Sequence, residues 1–118
     1  GVGIRVAAAA ASGIAVQGNQ IVDYAGGATG ILFTSIEDTS LLVVNANTID
    51  LSRFNTYVDR GIILTAITAN SGSTTPFVTF SSTVNNTVTG ATTTYSFPAS
   101  PVNGVQGDLL INNSDVIP

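Results

Sequence analysis

The chain has 118 residues with a formal net charge of −4, only 8% charged residues, and no Cys, His, Met or Trp. Its three basic residues are Arg5, Arg53 and Arg60, so Lys is absent as well. That inventory removes the usual general base, the thiol nucleophile and the soft metal ligands, and it leaves no basic face for nucleic acid or anionic lipid. Disulfides are excluded, and the length fits one domain with a moderate core.

Residues 1–19 stand apart. Gly1-Val2-Gly3-Ile4-Arg5-Val6 leads into the run Ala7 to Ala11. An isolated helix this short is marginal in water, whereas a period of two puts Val2, Ile4, Val6, Ala8 and Ala10 on one face. The reading is an extended N-terminal arm over 1–19, acting as a donor strand whose apolar stripe contacts a neighbouring subunit. Residues 20–118 are then a single β domain.

From Gln20 the chain reads as strands and turns. Gln20 to Tyr24 is followed by the turn Ala25-Gly26-Gly27-Ala28, and Gly30 to Ile36 by Glu37-Asp38-Thr39-Ser40. Leu41 to Val44 is continuously apolar, as for a strand buried on both faces. Asn45-Ala46-Asn47 turns into Thr48 to Leu51. Arg53 to Val58 alternates, and Asp59-Arg60-Gly61 leads into Ile62 to Ala69, the longest strand candidate. After the loop at 70–75, Pro76 opens Phe77 to Phe80. Val84 to Thr89 and Thr92 to Phe97 flank Gly90-Ala91, which predicts a hairpin. Pro98 to Pro101 breaks the pattern before a last strand at Gly107 to Ile111. About eight to ten short strands at this spacing predict an all-β, two-sheet antiparallel sandwich, jelly-roll or immunoglobulin-like, with no internal repeat.

The residues offer little chemistry. Without His or Lys neither a serine triad nor a Ser-Lys dyad can form. The glycines Gly26, Gly27 and Gly30 lack the Lys of a phosphate loop and read as turn residues. The carboxylates Asp23, Glu37, Asp38, Asp50, Asp59, Asp108 and Asp115 form no facing pair of the kind glycoside hydrolysis needs. No catalytic residue, cofactor or metal is expected; calcium is the one ion this oxygen-donor set would suit. Asp50 with Arg53 and Asp59 with Arg60 are local ion pairs, and Arg53 and Arg60 are candidate interface anchors. Asn85 and Asn112 head N-x-[ST] glycosylation patterns. Opening on Gly1 fits loss of a leader or of an initiator Met, and no segment has the layout of a signal peptide.

A β domain this poor in charge is suited to being packed against copies of itself. The expectation is a non-enzymatic structural subunit, a homopolymer forming an extracellular or cell-surface fibre, a pilus-like filament, or a virion coat. It has no membrane span and no nucleic-acid partner. The alternative is a carbohydrate- or ligand-binding β-sandwich module, with Tyr24, Tyr57 and Tyr95 as candidate sugar platforms.

Overall fold

The computed structural model describes residues 1–7, 13–23, 26–53, 58–68, 70, 72 and 78–97, together with the backbone of 109–111. Its strands are β1 (Val2–Ala7), β2 (Gly13–Gln17), β3 (Gln20–Val22), β4 (Thr29–Thr34), β5 (Ile36–Glu37), β6 (Leu41–Asn45), β7 (Thr48–Asp50), β8 (Arg60–Leu64), β9 (Ile67–Thr68), β10 (Thr79–Ser82), β11 (Thr87–Thr89), β12 (Thr93–Ser96) and β13 (Leu109–Ile111). No helix occurs among the described residues. In particular, no helix there is long and apolar enough to cross a membrane.

The chain is all-β, but it is not the antiparallel sandwich that its strand spacing predicts. Every strand pairing is parallel. The sheets run β1-β4-β8-β12, β2-β6-β10-β13, β3-β7-β11 and β5-β9. Strands consecutive in sequence therefore lie in different sheets, and each strand pairs with the one a full circuit later. The chain winds as a parallel β-solenoid. Its first coil is β1–β3, its second β4–β7 and its third β8–β11, with β12 and β13 belonging to the fourth. The hairpin expected at Gly90-Ala91 is absent: β11 pairs with β7 and β12 with β8. Gly90 does turn the chain, with φ 77°, but into the next coil rather than back along the same sheet.

The interior is built from columns of aliphatic and aromatic side chains, one per coil. Ile4, Ile31, Ile62 and Tyr95 are register partners along one sheet, and Ile14, Leu42 and Phe80 along another. Ile31, Phe33, Leu42, Val44, Ile49, Ile62 and Phe80 are fully buried. Leu41 to Val44, expected to be buried on both faces, alternates instead: Leu42 and Val44 enter the core, Leu41 is exposed and Val43 half-buried. Phe80 meets Tyr95 and Phe97 edge-on, with ring centroids 6.1 and 5.2 Å apart, so the last coil is anchored by an aromatic trio.

The solenoid also exposes a repeat that the sequence conceals. Gly3-Ile4, Gly30-Ile31 and Gly61-Ile62 open the first strand of three successive coils, and they stack in register. The glycines are required by packing. A Cβ at Gly30 would lie 2.7 Å from Ile49 Cγ2 and 2.8 Å from the Gly61 carbonyl oxygen. One at Gly61 would lie 2.5 Å from the Thr94 carbonyl oxygen. Because the obstacle is backbone, relief requires the coils to separate. Gly30→Ala is expected to destabilise the fold by about 1–3 kcal/mol, as overpacking does, read as a lowered midpoint of denaturant unfolding.

Candidate functional site

Each coil must bend between the β2-β6-β10 sheet and the β3-β7-β11 sheet, and the bend is made by the same chemistry every time. Gly18 in the first coil and Ala46 in the second take left-handed conformations there, with φ 67° and 54°. The residue that follows is an Asn. In the third coil one extra residue precedes it, and the Asn is Asn86.

These amides form a ladder. Asn19 Nδ2 and the Asn19 backbone N–H both donate to Asn47 Oδ1, at 3.0 and 3.1 Å. Asn47 repeats this on Asn86 Oδ1, at 2.9 and 3.1 Å. Each later amide also reaches back, Asn47 Nδ2 to the Val16 carbonyl at 2.9 Å and Asn86 Nδ2 to the Val44 carbonyl at 3.0 Å. Asn86 Nδ2 finishes on Ser82 Oγ at 3.2 Å. A parallel row runs alongside, in which Asn45 Nδ2 donates to Gln17 Oε1 while Asn45 Oδ1 accepts from the Thr83 and Val84 N–H groups. Asn47 and Asn86 are buried, so these bonds satisfy corner groups that water cannot reach. Replacing Asn47 with Ala strips partners from the Val16 carbonyl and the Asn19 N–H. It is expected to cost about 2–4 kcal/mol for two such groups left bare, seen as a fall in unfolding free energy.

In the first described coil one ladder position is unused. Asn19 donates toward the second coil, and among the described residues its Oδ1 accepts no hydrogen bond. The strands at this end are open too: β1, β2 and β3 are each the outermost strand of their sheets. Ile4, Val6, Ile14 and Ile21 pack on the core but stay only half-buried, and Val2 is 39% exposed. Among the described residues the outer side of the first coil is thus an apolar face framed by the edges of β1, β2 and β3, on which no other strand pairs.

The segment expected to be an extended arm lies here. Residues 2–7 pair with β4 and residues 13–17 with β6 of the same chain, so Val2, Ile4 and Val6 belong to the first coil. Ala8 and Ala10 lie outside the described residues. Arg53 and Arg60 are both exposed, Arg53 after β7 and Arg60 at the start of β8. Asn85 is exposed beside the ladder, and Asn112 lies outside the described residues.

The two local ion pairs resolve differently. Asp50 Oδ1 accepts from the Ser52 hydroxyl and, at 3.0 Å, the Ser52 N–H. These bonds, with a smaller contribution from Arg53, hold its carboxyl below the ordinary range. A depressed folded-state value means the stabilisation is present above the unfolded pKa and is lost as pH falls through the folded one. The stability gap between the native protein and Asp50→Asn is therefore expected to be open at pH 7 and to close below about pH 3–4, measured by urea unfolding across that range.

Asp59 is fully buried. Its Oδ1 accepts the Ala28 N–H at 2.8 Å, and its backbone carbonyl accepts from Thr92 and Thr93, so it ties together three successive coils. Among the described residues its Oδ2 has no hydrogen-bond partner.

Among the described residues no group of three or more His, Cys, Asp or Glu side chains could hold a metal ion. A shallow depression beside β1 and β3, lined by Gly1, Ile21, Asp23, Ala28 and Leu51 among others, encloses about 160 Å³. That is well under the roughly 300 Å³ at which ligand pockets begin. Tyr95 is buried in the core, and Tyr24 and Tyr57 lie outside the described residues.

Comparison with protein-family models, with curated proteins and with solved structures finds no match. The open end and its ladder escaped sequence reasoning, although the signal was present: Gly18-Asn19, Ala46-Asn47 and Asn85-Asn86 each follow a strand and precede a β-rich triplet.

Proposed function

We propose that this protein is a non-enzymatic structural subunit that assembles end to end into a filament, with its N-terminal coil meeting a neighbouring subunit. The observation that carries this is the character of the first coil. A solenoid coil with an apolar outer face is stable when a further coil or another chain covers it. Here the end presents Val2, Ile4, Val6, Ile14 and Ile21 between open parallel edges. Unpaired edges of this kind template the addition of further strands.

A parallel stack has two different ends, so its self-association is head-to-tail and extends rather than closing on itself. The low charge fits a subunit that is covered by copies of itself. An extracellular or cell-surface fibre suits a rod-forming module, and a virion component built from such rods is the other setting. For the reading as a carbohydrate-binding module, Tyr95 is unsuited as a platform because it is in the core with Phe33 and Phe80.

Sedimentation and electron microscopy of the purified protein test the proposal. The native chain is expected to form filaments. Ile4→Asp, which places a carboxylate in the dry interface, and Val2→Lys, at a more exposed site that spares the fold, are both expected to stop them. A native protein that stays monomeric at high concentration would overturn the proposal, as would filaments that both variants form unchanged.

A further inference from the structure

We infer that Asn85 is an N-glycosylation site, its amide nitrogen carrying an oligosaccharide on the flank of the third coil. Of the asparagines among the described residues (Asn19, Asn45, Asn47, Asn70, Asn85 and Asn86), only Asn85 has Ser or Thr two positions on, in Asn85-Asn86-Thr87. That is the acceptor pattern for N-linked glycans, which belong on a surface. The inference rests on the extracellular setting of the reading above, but not on the filament.

The fold decides which of the two adjacent asparagines takes the sugar. Asn86 is buried, with its Oδ1 accepting from Asn47 and its amide donating to the Val44 carbonyl and Ser82 Oγ. Asn85 and Thr87, on either side of it, are exposed. An extended backbone alternates in this way, residues i and i+2 sharing one face. The acceptor amide and the hydroxyl that the pattern requires are therefore both turned to solvent, while the residue between them holds the ladder. A glycan on Asn85 leaves those ladder bonds in place.

An extra residue creates the position. Between the register pairs Val43–Ser81 and Thr48–Thr87 the third coil has one residue more than the second, and Asn85 stands directly before the ladder Asn. The enlarged corner is pinned. Asn45 Oδ1 accepts the Thr83 and Val84 N–H groups at 2.8 and 3.2 Å, and the Val84 carbonyl accepts the Ala46 N–H at 3.1 Å. Thr83, Val84 and Asn85 are consecutive exposed residues, with Val84 54% exposed. A bulky hydrophilic group beside Val84 supplies hydration that a chain with 8% charged residues otherwise lacks.

The chain is the acceptor, and a cellular transferase is the catalyst. The Asn85 amide nitrogen bonds to the anomeric carbon of a lipid-diphosphate-linked oligosaccharide. The bond from that carbon to the diphosphate oxygen breaks, the nitrogen gives up one proton, and the lipid diphosphate leaves.

Peptide mapping by mass spectrometry, on protein purified from its native source, tests the inference. The peptide containing Asn85 is expected to carry an oligosaccharide. A peptide N-glycosidase in heavy-oxygen water is expected to release it and convert Asn85 to an isotope-labelled aspartate. Asn85→Gln and Thr87→Ala, produced in the same source and checked for folding by thermal unfolding, are expected to lose both signals. Thr87→Ser is expected to keep them. A bare Asn85 peptide from the native protein would overturn the inference, as would a sugar confined to Asn112. Label that appears without the enzyme, or a glycan that persists in Thr87→Ala, would overturn it too. These results are read independently of microscopy, so a bare Asn85 leaves the structural-subunit reading intact and an absence of filaments leaves the glycan intact.

Discussion

The asparagine at the corner between two sheets is the contact on which the rest of this solenoid depends. A chain that winds in coils must change direction at the same place in every circuit, and each corner withdraws backbone groups from the sheet hydrogen bonds on either side. Asn47 answers that need in both directions. Its Oδ1 takes the backbone N–H and side-chain amide of Asn19 from the coil before, and its own amide serves Asn86 Oδ1 in the coil after and the Val16 carbonyl. With the corners held in register, Ile21, Ile49 and Val88 are brought against the glycine column of the facing sheet. The glycines in turn permit the coils to approach closely enough for the interior columns to close. Satisfied corner, close approach and dry core are consecutive links of one chain of causes.

Parallel stacking also explains how a chain with so few charges reaches a defined structure. Polar specification comes from amides rather than ions. Asn45 and Asn47, with Gln17 and Asn86, provide directional bonds without the desolvation cost that a buried ion pair would carry. Asp59, a fully buried carboxyl, is used in the same manner, accepting a backbone N–H from the coil before and bonding through its carbonyl to the coil after. The ends of such a stack differ from its middle only in lacking a neighbour.

Much of the local structure was legible in the residues. The β-rich segments at Gly30 to Ile36, Leu41 to Val44, Ile62 to Ala69 and Thr92 to Phe97 all contain strands, and the turns at Asn45-Ala46-Asn47 and at Gly90 are turns. The pairing was not legible. A strand that alternates for five residues and ends in a turn looks the same whether it doubles back or proceeds to the next side of a coil. Val84 to Thr89 and Thr92 to Phe97 around Gly90-Ala91 illustrate this: the hairpin signal is local, while the partners that prevail, β7 and β8, are dozens of residues away. The repeat that would have revealed the coil was disguised by uneven loops. The ladder asparagines are 28 and 39 residues apart, so no fixed period marks them.

Composition by itself determined that the protein has no disulfide and that the residues of most catalytic sites are missing, because those conclusions depend only on which side chains exist; that it is all-β was set by the spacing of short β-rich runs and turn residues along the chain. Tertiary structure alone decided that the strands run parallel, that residues 2–7 form the edge of a coil, and that Asn19 ends its ladder with an acceptor unused. Those facts depend on which segments meet, and meeting is governed by packing across the coil rather than by neighbours along the chain. Gly30 shows the difference most plainly. In sequence it is one turn-forming residue among twelve glycines, and in the fold it is the only kind of residue that lets Ile49 and the next coil come together.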